Sequence, residues 1–506
     1  MSKALWWIKR DFRLTDNAAL TMATENNQEV LPLFAFEPGL IAQPDYSPMH
    51  VWAWRKALED LKKSTHKKKG NVLVATEEII TVLTHLKKFW DFDHIYAHEE
   101  TGNDWTFSRD KRVMAWAKKN NIKFIEIPQT GVIRRLKSRA DRQPIIKERL
   151  IESTPLPEPK DLKFPQSCQD LCETKSIPGL SQFFDMKEYE HIQWEELQVV
   201  SETAGQKDLA SFLNDRGQGY SGGISSPNTA FRHGSRLSVH LAWGTLSLRT
   251  IFHATLQKIG QHKGQPDPLD KKWGRSLRAF SSRLHWHDHF IQRLESEPNM
   301  EFQAINTAYD QVRYEDDPQK LNAWKYGQTG FPMVDACMRC LQATGFLNFR
   351  MRAMVVSFAC FGLHLSWRTI HPSLAQIFLD YEPGIHLSQL QMQAGIVGIN
   401  TIRVYSPSKQ IEDQDPDCKF IKHWIPELRD FTSTEIKSYE KISLGDYPRP
   451  IVDFKPRAKA MKDQIFAIRK SEAGKAASQA VLTKHGSQKK KKKPVQKKPP
   501  QASLGI

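Results

Sequence analysis

Residues 4–36 read ALWWIKRDFRLTDNAALTMATENNQEVLPLFAF and contain a complete strand–helix–strand pattern. The apolar runs at residues 5–8 and 30–36 have the length and composition of buried strands, and the spacing of apolar residues over 17–24 predicts a helix between them. Two strands joined through a helix in this way lie parallel in one sheet.

The same alternation continues to about residue 130. Further strands are predicted at residues 71–75, 94–97 and 123–127, with helices at 50–63, 77–89 and 105–119. Strands that are apolar along their whole length belong to a parallel sheet covered on both faces by its crossover helices. We therefore predict an α/β fold class, in which residues 1–130 form a doubly wound parallel-sheet domain.

The rest of the chain divides into three parts. Residues 131–205 contain several prolines that break long periodicity and are predicted to form an interdomain connector. Over 206–450 the strand signals give way to helical spacing, as in the apolar positions Met351, Met354, Val355, Phe358 and Phe361. We expect a larger all-helical domain there, followed by a basic tail over 451–506.

Composition excludes several classes of protein. With 40% apolar and 26% charged residues, the 506-residue chain is typical of a globular protein. It has no apolar run long enough for a membrane helix, and its six irregularly spaced cysteines suit a reducing compartment without disulfides. We expect a cytoplasmic protein with no membrane partner.

The net charge of +16 is concentrated at the C-terminus. From residue 455 onward there are 15 Lys or Arg against two acidic residues, so this segment carries +13 and the other 454 residues carry +3. Alanine-rich helical spacing extends over 454–482, and the lysine- and proline-rich last twenty residues are predicted to be disordered. The tail either attracts DNA phosphates or only solubilises the chain.

Two groups of residues could hold a ligand. Ser235, Leu237 and Ser238 lie just ahead of a predicted helix, where hydroxyl and N–H groups favour an anion such as phosphate, although most such serines are only helix caps. Arg352 and Asp380 lie on two predicted helices. They form either an ordinary interdomain ion pair or a pair beside a planar redox-active ring.

No metal site is predicted. The three histidines of the run at residues 285–289 cannot converge, because alternate residues of a helix do not share a face. Cys337 and Cys340 have zinc-ligand spacing but lack a companion pair, so we expect them in the core.

Motifs in one order along residues 5–430 resemble the photolyase/cryptochrome family. The tail lies outside this resemblance. The matching segments are WIKRDFRLTDN at 7–17, SRLS at 235–238, AWG at 242–244, GQTGFPMVDA at 327–336, RMR at 350–352 and WIPEL at 424–428.

The resemblance implies that the helical domain binds FAD. With the flavin reduced, such a protein uses light to repair UV-damaged DNA. Matching positions then assign residues to three roles. Those that hold FAD are Tyr220, Ser235, Leu237, Ser238, Arg352, Asp380, Glu382 and His386; of these Arg352, Asp380 and His386, together with Trp286, are catalytic candidates. Arg283, Trp286 and Phe349 are the candidates for contact with the DNA lesion, and Trp367 for electron relay.

Several positions depart from the family pattern. His386 stands where repair enzymes usually have Asn facing flavin N5, and Leu390 replaces the flavin-proximal relay tryptophan. The surface relay tryptophan falls near Ala308, with Tyr309 adjacent. Arg283 replaces a usual Glu and Phe349 a usual Asn among the lesion contacts.

The resemblance also leaves room for a second, antenna chromophore of the folate or deazaflavin type near Glu99, Glu100 and Asn103. The leading hypothesis is a monomeric DNA photolyase whose partner is UV-damaged DNA. The main alternative is a cryptochrome-like blue-light receptor without repair activity, whose signalling partner the sequence does not identify. A third is a light-independent flavin or DNA-binding protein.

Overall fold

A computed structural model describes residues 2–485 of the chain. Its N-terminal part is a five-stranded sheet in the order β3-β2-β1-β4-β5, in which every pair of neighbours is parallel. All five predicted strands are present, each within two residues of its predicted ends. The strands are β1 Lys3–Trp7, β2 Glu29–Ala35, β3 Leu73–Ala75, β4 His94–His98 and β5 Lys123–Ile127.

Helices cover both faces of this sheet, as the doubly wound prediction requires. Along β1, Ala4 and Trp6 pack into one apolar cluster, whereas Leu5 and Trp7 pack into another on the opposite face. This alternation follows from the two-residue period of a strand. The helices are α1 Ala18–Asn26, α2 Pro38–Ile41, α3 Pro48–His66, α4 Ile79–Trp90 and α5 Asp104–Lys119.

The loop after β1 joins the sheet to the helical part of the chain. Arg10 donates through Nε to Ala242 O at 2.7 Å and through Nη2 to Tyr381 O at 2.6 Å. Arg13 donates to Gly244 O at 2.8 Å. Gly244 has φ of 66°, and a Cβ there would lie 1.8 Å from Arg10 O, so only glycine fits this approach.

The connector is packed rather than extended into solvent. It consists mainly of short helical turns, and Leu162, Cys168, Cys172 and Val200 are buried against the sheet domain. Its two α-helices are α6 Arg142–Lys147 and α7 Gln169–Thr174.

The C-terminal part is helical, as predicted, and its largest core forms around α15 to α18. The long helix α13 carries the predicted His-Trp-His-Asp-His run and packs along α18. The helices are α8 Glu202–Asn214, α9 Tyr220–Gly223, α10 Pro227–His233, α11 Ser238–Ala242, α12 Leu248–Gln261, α13 Pro268–Ser296, α14 Pro318–Lys325, α15 Pro332–Thr344, α16 Phe349–Ser357, α17 Trp367–Ile377, α18 Pro383–Gln393, α19 Pro407–Gln414, α20 Lys419–Trp424 and α21 Ser433–Lys437.

Two more helices lie within the basic tail, where the alanine-rich spacing over 454–482 predicts helical structure. Helix α22, Phe454–Lys470, buries Phe454, Met461 and Ile465 in the main helical core, and α23, Glu472–His485, packs against α22. The folded body therefore extends past residue 451, because this apolar stripe completes the core. The disorder predicted for the last twenty residues lies wholly outside the described range.

Between residues 2 and 485, no helix is both long and apolar enough to cross a membrane.

Candidate functional site

The central feature of the helical domain is an ion pair between Arg352 of α16 and Asp380 of the loop before α18. Arg352 Nη1 and Nη2 donate to the two Asp380 carboxylate oxygens at 2.9 Å each, and Nε donates to Leu347 O at 2.6 Å. The guanidinium also lies over the Phe378 ring, 4.3 Å from its centre. A bidentate pair of this kind fixes both the charge and its orientation.

The loop that carries Asp380 is held at four points. His50 contacts Phe378 O at 3.1 Å, Trp243 Nε1 donates to Leu379 O at 2.7 Å, Arg10 donates to Tyr381 O, and Tyr381 donates through its hydroxyl to Asp45 at 2.6 Å. Three of these four partners belong to the α/β domain and one, Trp243, to the helical domain. The position of the site therefore depends on contact between the domains.

His386 lies in the first turns of α18, in a cage of rings. The ring centres of His371, Tyr381 and Phe378 are 5.0, 5.3 and 5.9 Å from that of His386. Burial, together with the neighbouring His371, lowers the pKa of His386 well below its usual value. The imidazole is therefore neutral at physiological pH.

Glu382 is buried beside the same loop. One carboxylate oxygen lies 3.3 Å from Arg10 Nη2, and burial raises the pKa of the group. Asp380 and Glu382 therefore place two carboxylates on one short segment, and Arg10 of the α/β domain contacts that segment.

Ser235, Leu237 and Ser238 border the other side of the site. Leu237 is buried, Ser238 is exposed at the start of α11, and Ser235 Oγ accepts a weak bond from Leu237 N at 3.4 Å. A cavity lies between this segment and the ion pair, lined by Gln198, Arg236, Ser238, Val239, Thr344, Gly345, Phe346, Leu379 and Asp380. The structure therefore brings Ser238 and Asp380 to one cavity.

Tyr220 lies at the base of this region, buried against Phe212 and Phe280 with ring centres 5.6 Å away. Burial raises the pKa of Tyr220 to about 12, and its hydroxyl interacts with Arg283 of α13. Tyr220, which the resemblance assigns to FAD binding, thus contacts Arg283, which it assigns to contact with the DNA lesion.

Several buried polar atoms around the site have no hydrogen-bond partner among the described residues. They are Arg236 Nη1, Asn348 Oδ1, Arg350 Nε, Glu382 Oε1 and His386 Nε2. Because buried polar groups in native proteins are almost always satisfied, this set indicates a bound group with both anionic and hydrogen-bonding parts. FAD, with two phosphates and a polar ring edge, has that chemistry, and these residues fit it.

Two exposed aromatic side chains flank α18. Trp286 of α13 is 49% exposed and Phe349 of α16 is 53% exposed, and each lies on a helix that buries its other face. The Trp286 ring stacks on Phe290 at 5.7 Å and 28°, and His289 meets its edge at 5.4 Å. These contacts hold the indole in one orientation at the surface.

The relay candidate Trp367 begins α17 and is fully buried. Leu390 is buried on α18, so no oxidisable ring stands at that position. Tyr309 is also buried, and its hydroxyl lacks a partner among residues 2–485.

The three residues suggested for an antenna chromophore make different contacts. Asn103 caps α5 and donates to Asp45 at 3.0 Å, and Glu100 accepts from Arg109 at 2.6 Å. Of the three, only Glu100 lines the cavity at the carboxyl ends of β1 and β2. Arg109 occupies the side of that cavity, with its guanidinium 4.9 Å from the centre of the Trp7 ring.

The histidine run and the cysteine pair have ordinary surroundings. His287 contacts its neighbour Asp288 at 3.0 Å, and Cys337 and Cys340 are buried in α15. Within the described part of the chain, no three His, Cys, Asp or Glu side chains are placed to hold a metal ion.

Sequence reasoning missed three residues of the site. Arg236 lies inside the motif SRLS and could have been found as the only cation there, and Arg10 lies inside the motif WIKRDFRLTDN. His371 gave no signal, because nothing in the sequence relates a residue of α17 to one fifteen positions later on α18.

Comparisons with known proteins agree with this geometry. Residues 4–142 match the family "DNA photolyase", and residues 280–467 match "FAD binding domain of DNA photolyase". A deoxyribodipyrimidine photo-lyase of Halobacterium salinarum is 32% identical over 232 residues, which are 44% of this chain and 47% of that protein.

Longer matches include both branches of the family. Cryptochrome DASH of Synechocystis sp. is 25% identical over 510 residues, covering 90% of this chain and 96% of the relative. The crystal structure of a Sulfolobus tokodaii archaeal photolyase with two FAD molecules superposes with a TM-score of 0.76 at 26% identity, covering 92% of this chain and all of that one.

The predicted FAD-binding domain and the resemblance seen in the sequence are thereby confirmed. Because both domains match in order and the architecture is shared, this chain is a flavoprotein of the photolyase/cryptochrome family.

Proposed function

We propose that this protein is a DNA photolyase that repairs UV pyrimidine photoproducts in light. The observation that carries the proposal is the pair of exposed aromatic side chains, Trp286 and Phe349, on the helices that flank the flavin-facing helix α18. Large exposed rings on packed helices are typical of surfaces that stack with extruded bases.

Trp286 would receive the flipped lesion. Stacking of a base on an aromatic ring contributes about 1–3 kcal/mol, which offsets part of the cost of unpairing, and that cost is smallest at a damaged site. Phe290 already holds the indole in place, so little side-chain entropy is lost on binding.

The exposed face of α13 would bind the flanking phosphates. Lys271, Lys272, Arg275, Arg278 and Arg283 are all exposed on this helix, and the same helix carries Trp286. A row of cations along one helix attracts the DNA backbone without reading its sequence.

Arg352, Asp380 and His386 would hold the flavin ring. When bound in its reduced form, FAD supplies the photoexcited electron that splits the lesion and is afterwards returned. The Arg352 guanidinium, fixed by Asp380, places a positive charge at the ring, while the neutral His386 imidazole can donate or accept one proton through the unpartnered Nε2.

A second candidate function is that of a cryptochrome-like photoreceptor. Phe349 and Arg283 stand at positions where repair enzymes usually present Asn and Glu to the bases, and both are exposed. A cryptochrome DASH is among the long matches. In this case FAD is bound in the same way but the exposed surface contacts a signalling partner.

The test is incubation of the chemically reduced protein with defined oligonucleotides. One set contains a cyclobutane dimer and the other a six-four photoproduct, each in single and double strands, in light and in darkness. Loss of the lesion in light alone supports repair. No turnover on any substrate, with reduced FAD bound, supports the photoreceptor.

Variants make this test specific to the proposed surface. Trp286→Ala should weaken binding of lesion DNA by about 1–3 kcal/mol, or roughly 5- to 150-fold, while FAD binding is unchanged. Phe89→Ala is a matched control, because Phe89 is 62% exposed on α4 of the other domain. Equal losses in the two variants would contradict a lesion-stacking role for Trp286.

We place the antenna chromophore near Glu100, the one of the three suggested residues that lines the cavity at the carboxyl ends of β1 and β2. The cavity beside Trp7 and Arg109 is the candidate, and its charged lining suits a planar ring with anionic groups. The test measures the rate of repair, or of flavin photoreduction, as a function of excitation wavelength. A band that FAD alone does not give is expected only if a second chromophore is bound.

A further inference from the structure

Two buried arginines beside Trp286, one of them in the connector, lack the partners that buried cations normally have. Arg142 of α6 is 7% exposed and Arg293 of α13 is 5% exposed. Nε and Nη2 of Arg142, and Nε and Nη1 of Arg293, have no hydrogen-bond partner among residues 2–485. Because burying an unpaired guanidinium is unfavourable, the two side chains indicate a bound anion that supplies the missing acceptors.

The carboxylates of the described chain do not neutralise these two arginines. Among residues 2–485, Asp288 is the one acidic group whose charge favours protonated Arg142, and none does so for Arg293. Both oxygens of Asp288 already have partners, since Oδ2 accepts from Gly131 N at 2.7 Å and Oδ1 lies 3.0 Å from His287 Nδ1. Burial lowers the pKa of Arg293 to about 10, so Arg293 is still charged at physiological pH.

Both arginines lie near His289, which is one helical turn from Trp286. The His289 ring meets the edge of the Trp286 indole at 5.4 Å. Burial lowers the pKa of His289 to about 3, and the nearby charges of Arg293 and Arg142 contribute to this shift. The neutral imidazole can donate one ring N–H to an anion. Since His289 is only partly buried, the cluster meets the surface beside Trp286.

The connector is held against α13 at this point, which fixes Arg142 beside the helix. Gln292 accepts from Ile133 N at 2.8 Å and donates to Ile133 O at 3.0 Å. Arg149 donates to Val132 O at 2.8 Å. Cationic groups that are already in place lose little conformational entropy when they bind an anion.

The position of the two arginines fits a phosphate of the DNA backbone. Arg293 follows Trp286 by seven residues on α13, which is a rise of about 10 Å. Phosphates of one strand are about 3.4 Å apart along the duplex axis, so a phosphate about three nucleotides from a lesion at Trp286 reaches this place. The planar fork of guanidinium donors matches phosphate oxygens. The exposed cations of α13, within residues 271–283, precede Trp286 and so lie on its other side along the helix.

We infer that Arg142 and Arg293, together with His289, bind one phosphate group of the DNA backbone on the connector side of the lesion. The inference rests on the proposed function for the position of the DNA. The same oxyanion chemistry would also suit free phosphate, and separate measurements distinguish these two sources.

The first measurement is binding of the FAD-loaded full chain, in darkness, to a duplex with one central cyclobutane dimer. The double variant Arg142→Met with Arg293→Met removes both charges but keeps long apolar side chains. Loss of one phosphate contact should weaken binding at least about 10-fold and reduce the slope of log K against log salt concentration by about 1.

The control for this measurement removes two cations from the other domain. Lys111→Met with Arg112→Met alters two exposed residues of α5 and should leave both the affinity and the salt slope unchanged. Affinity and slope that are also unchanged in the Arg142 and Arg293 double variant overturn the inference.

Neutral methylphosphonate groups locate the contact on the DNA. They replace the phosphates of the duplex one at a time, and the unaltered protein and the double variant are each bound to every duplex. One replacement, about three nucleotides from the dimer on one strand, should weaken binding of the unaltered protein and have little effect on the variant, because the variant has already lost that contact. Equal responses of the two proteins at every position overturn the inference.

Urea unfolding separates a binding role from a structural one. In phosphate-free buffer the double variant should be at least as stable as the unaltered protein, because it removes two buried charges that have no partner. A less stable variant with unchanged lesion binding assigns the arginines to the fold and contradicts the inference. If stability and binding both fall, the methylphosphonate profile decides, since a general defect singles out no phosphate.

Inorganic phosphate is the probe for the other source of the anion. It should stabilise the unaltered protein against urea and have no effect on the double variant. Stabilisation by phosphate together with identical methylphosphonate profiles identifies a site for free phosphate and overturns the assignment to DNA.

Failure of the proposed function gives a different result. A protein that does not recognise lesions binds damaged and undamaged duplexes equally, with or without the two arginines. The salt slope on undamaged duplex then decides the inference. A decrease of about 1 in the double variant supports the phosphate site, and an equal slope overturns it.

Discussion

The imidazole rings of His371 and His386 lie 5.0 Å apart, centre to centre, with 47° between their planes. Burial lowers the pKa of both groups, and each ring has one nitrogen without a partner in the described part of the chain, Nδ1 of His371 and Nε2 of His386. Each neutral imidazole can accept a proton from a bound group at its unpartnered nitrogen, which an asparagine amide cannot do near neutral pH.

The first prediction concerns this pair. His386→Asn should change the flavin absorption spectrum that persists after illumination, because the amide cannot exchange a proton at that position. The rate of the associated proton transfer should fall by about 10²-fold or more, the usual contribution of a general acid or base. Transient absorption in H₂O and in D₂O measures it.

His371→Asn should give a smaller change of the same kind, since it removes the second ring but leaves the first. His66→Asn on the exposed face of α3 is the control and should behave as the unaltered protein. Identical spectra and decay rates for His386→Asn and the unaltered protein would remove His386 from the mechanism.

The second prediction concerns Arg352 and Asp380. Arg352→Gln leaves the Asp380 carboxylate, which is almost fully buried, without its bidentate partner. Removing one member of such a pair costs about 3 kcal/mol in the free energy of unfolding, and FAD should dissociate more readily. Urea unfolding and FAD release, followed by fluorescence, measure the two effects.

The pair formed by Arg339 and Glu427 provides the control. Arg339 Nη1 donates to both Glu427 carboxylate oxygens, at 2.8 and 2.9 Å, but Glu427 is 37% exposed. Arg339→Gln should therefore cost only about 1 kcal/mol or less and leave FAD bound. If the two variants lose equal stability and both retain FAD, the Arg352 pair has no special part in the site.

The fold could be predicted to the extent that it depends on local pattern. Strands such as Lys3–Trp7 and Lys123–Ile127 are short, apolar and separated by helical spacing, so sequence alone indicates them. The tail shows the limit of this approach. The basic residues of α22 suggest a solvated segment, yet Phe454, Met461 and Ile465 are spaced to bury one face, and only the tertiary core decides between these outcomes.

The site was predictable where a motif or a charge pair marked it. Arg352 and Asp380 carry opposite charges in otherwise apolar segments, and the structure joins them. The partnership of His371 with His386 depends on how α17 crosses α18, and the unsatisfied guanidinium of Arg236 depends on burial. Neither the contact between the two histidines nor the burial of Arg236 can be predicted from the spacing of residues in the sequence.

The third prediction concerns pH and the contact between domains. Burial lowers the pKa of His50 to about 4, whereas in the unfolded chain it is about 6.5. The folded state thus binds fewer protons between these values, so the stability that neutral His50 supports is present above pH 6.5 and lost as pH falls toward 4. At pH 5.5 the loss is about 1.4 kcal/mol relative to pH 7.5.

Urea unfolding at pH 7.5, 6.5 and 5.5 measures this loss. His50→Gln should reduce the dependence of unfolding free energy on pH by up to one proton while keeping a donor for Phe378 O. His66→Gln lies on the same helix α3 but is exposed, and its pH profile should match that of the unaltered protein. Parallel profiles for all three proteins would show that His50 does not titrate on unfolding.

The fourth prediction concerns electron supply to the flavin. Leucine at position 390 interrupts the row of oxidisable rings that is usual in the family. Trp367 is kept and buried, and Tyr309, which adjoins Ala308 at the surface relay position, is buried as well. If Trp367 is a relay, Trp367→Phe should remove most of the light-driven reduction of bound FAD by an external thiol, because a phenyl ring is not oxidised under these conditions. If electrons also pass through Tyr309, Tyr309→Phe should slow reduction as well, and the double variant should be slower than either single one. Trp90→Phe is the control, since Trp90 is also buried but lies in the α/β domain. Photoreduction rates that fall equally in the Trp90 and Trp367 variants would indicate a packing defect rather than a relay.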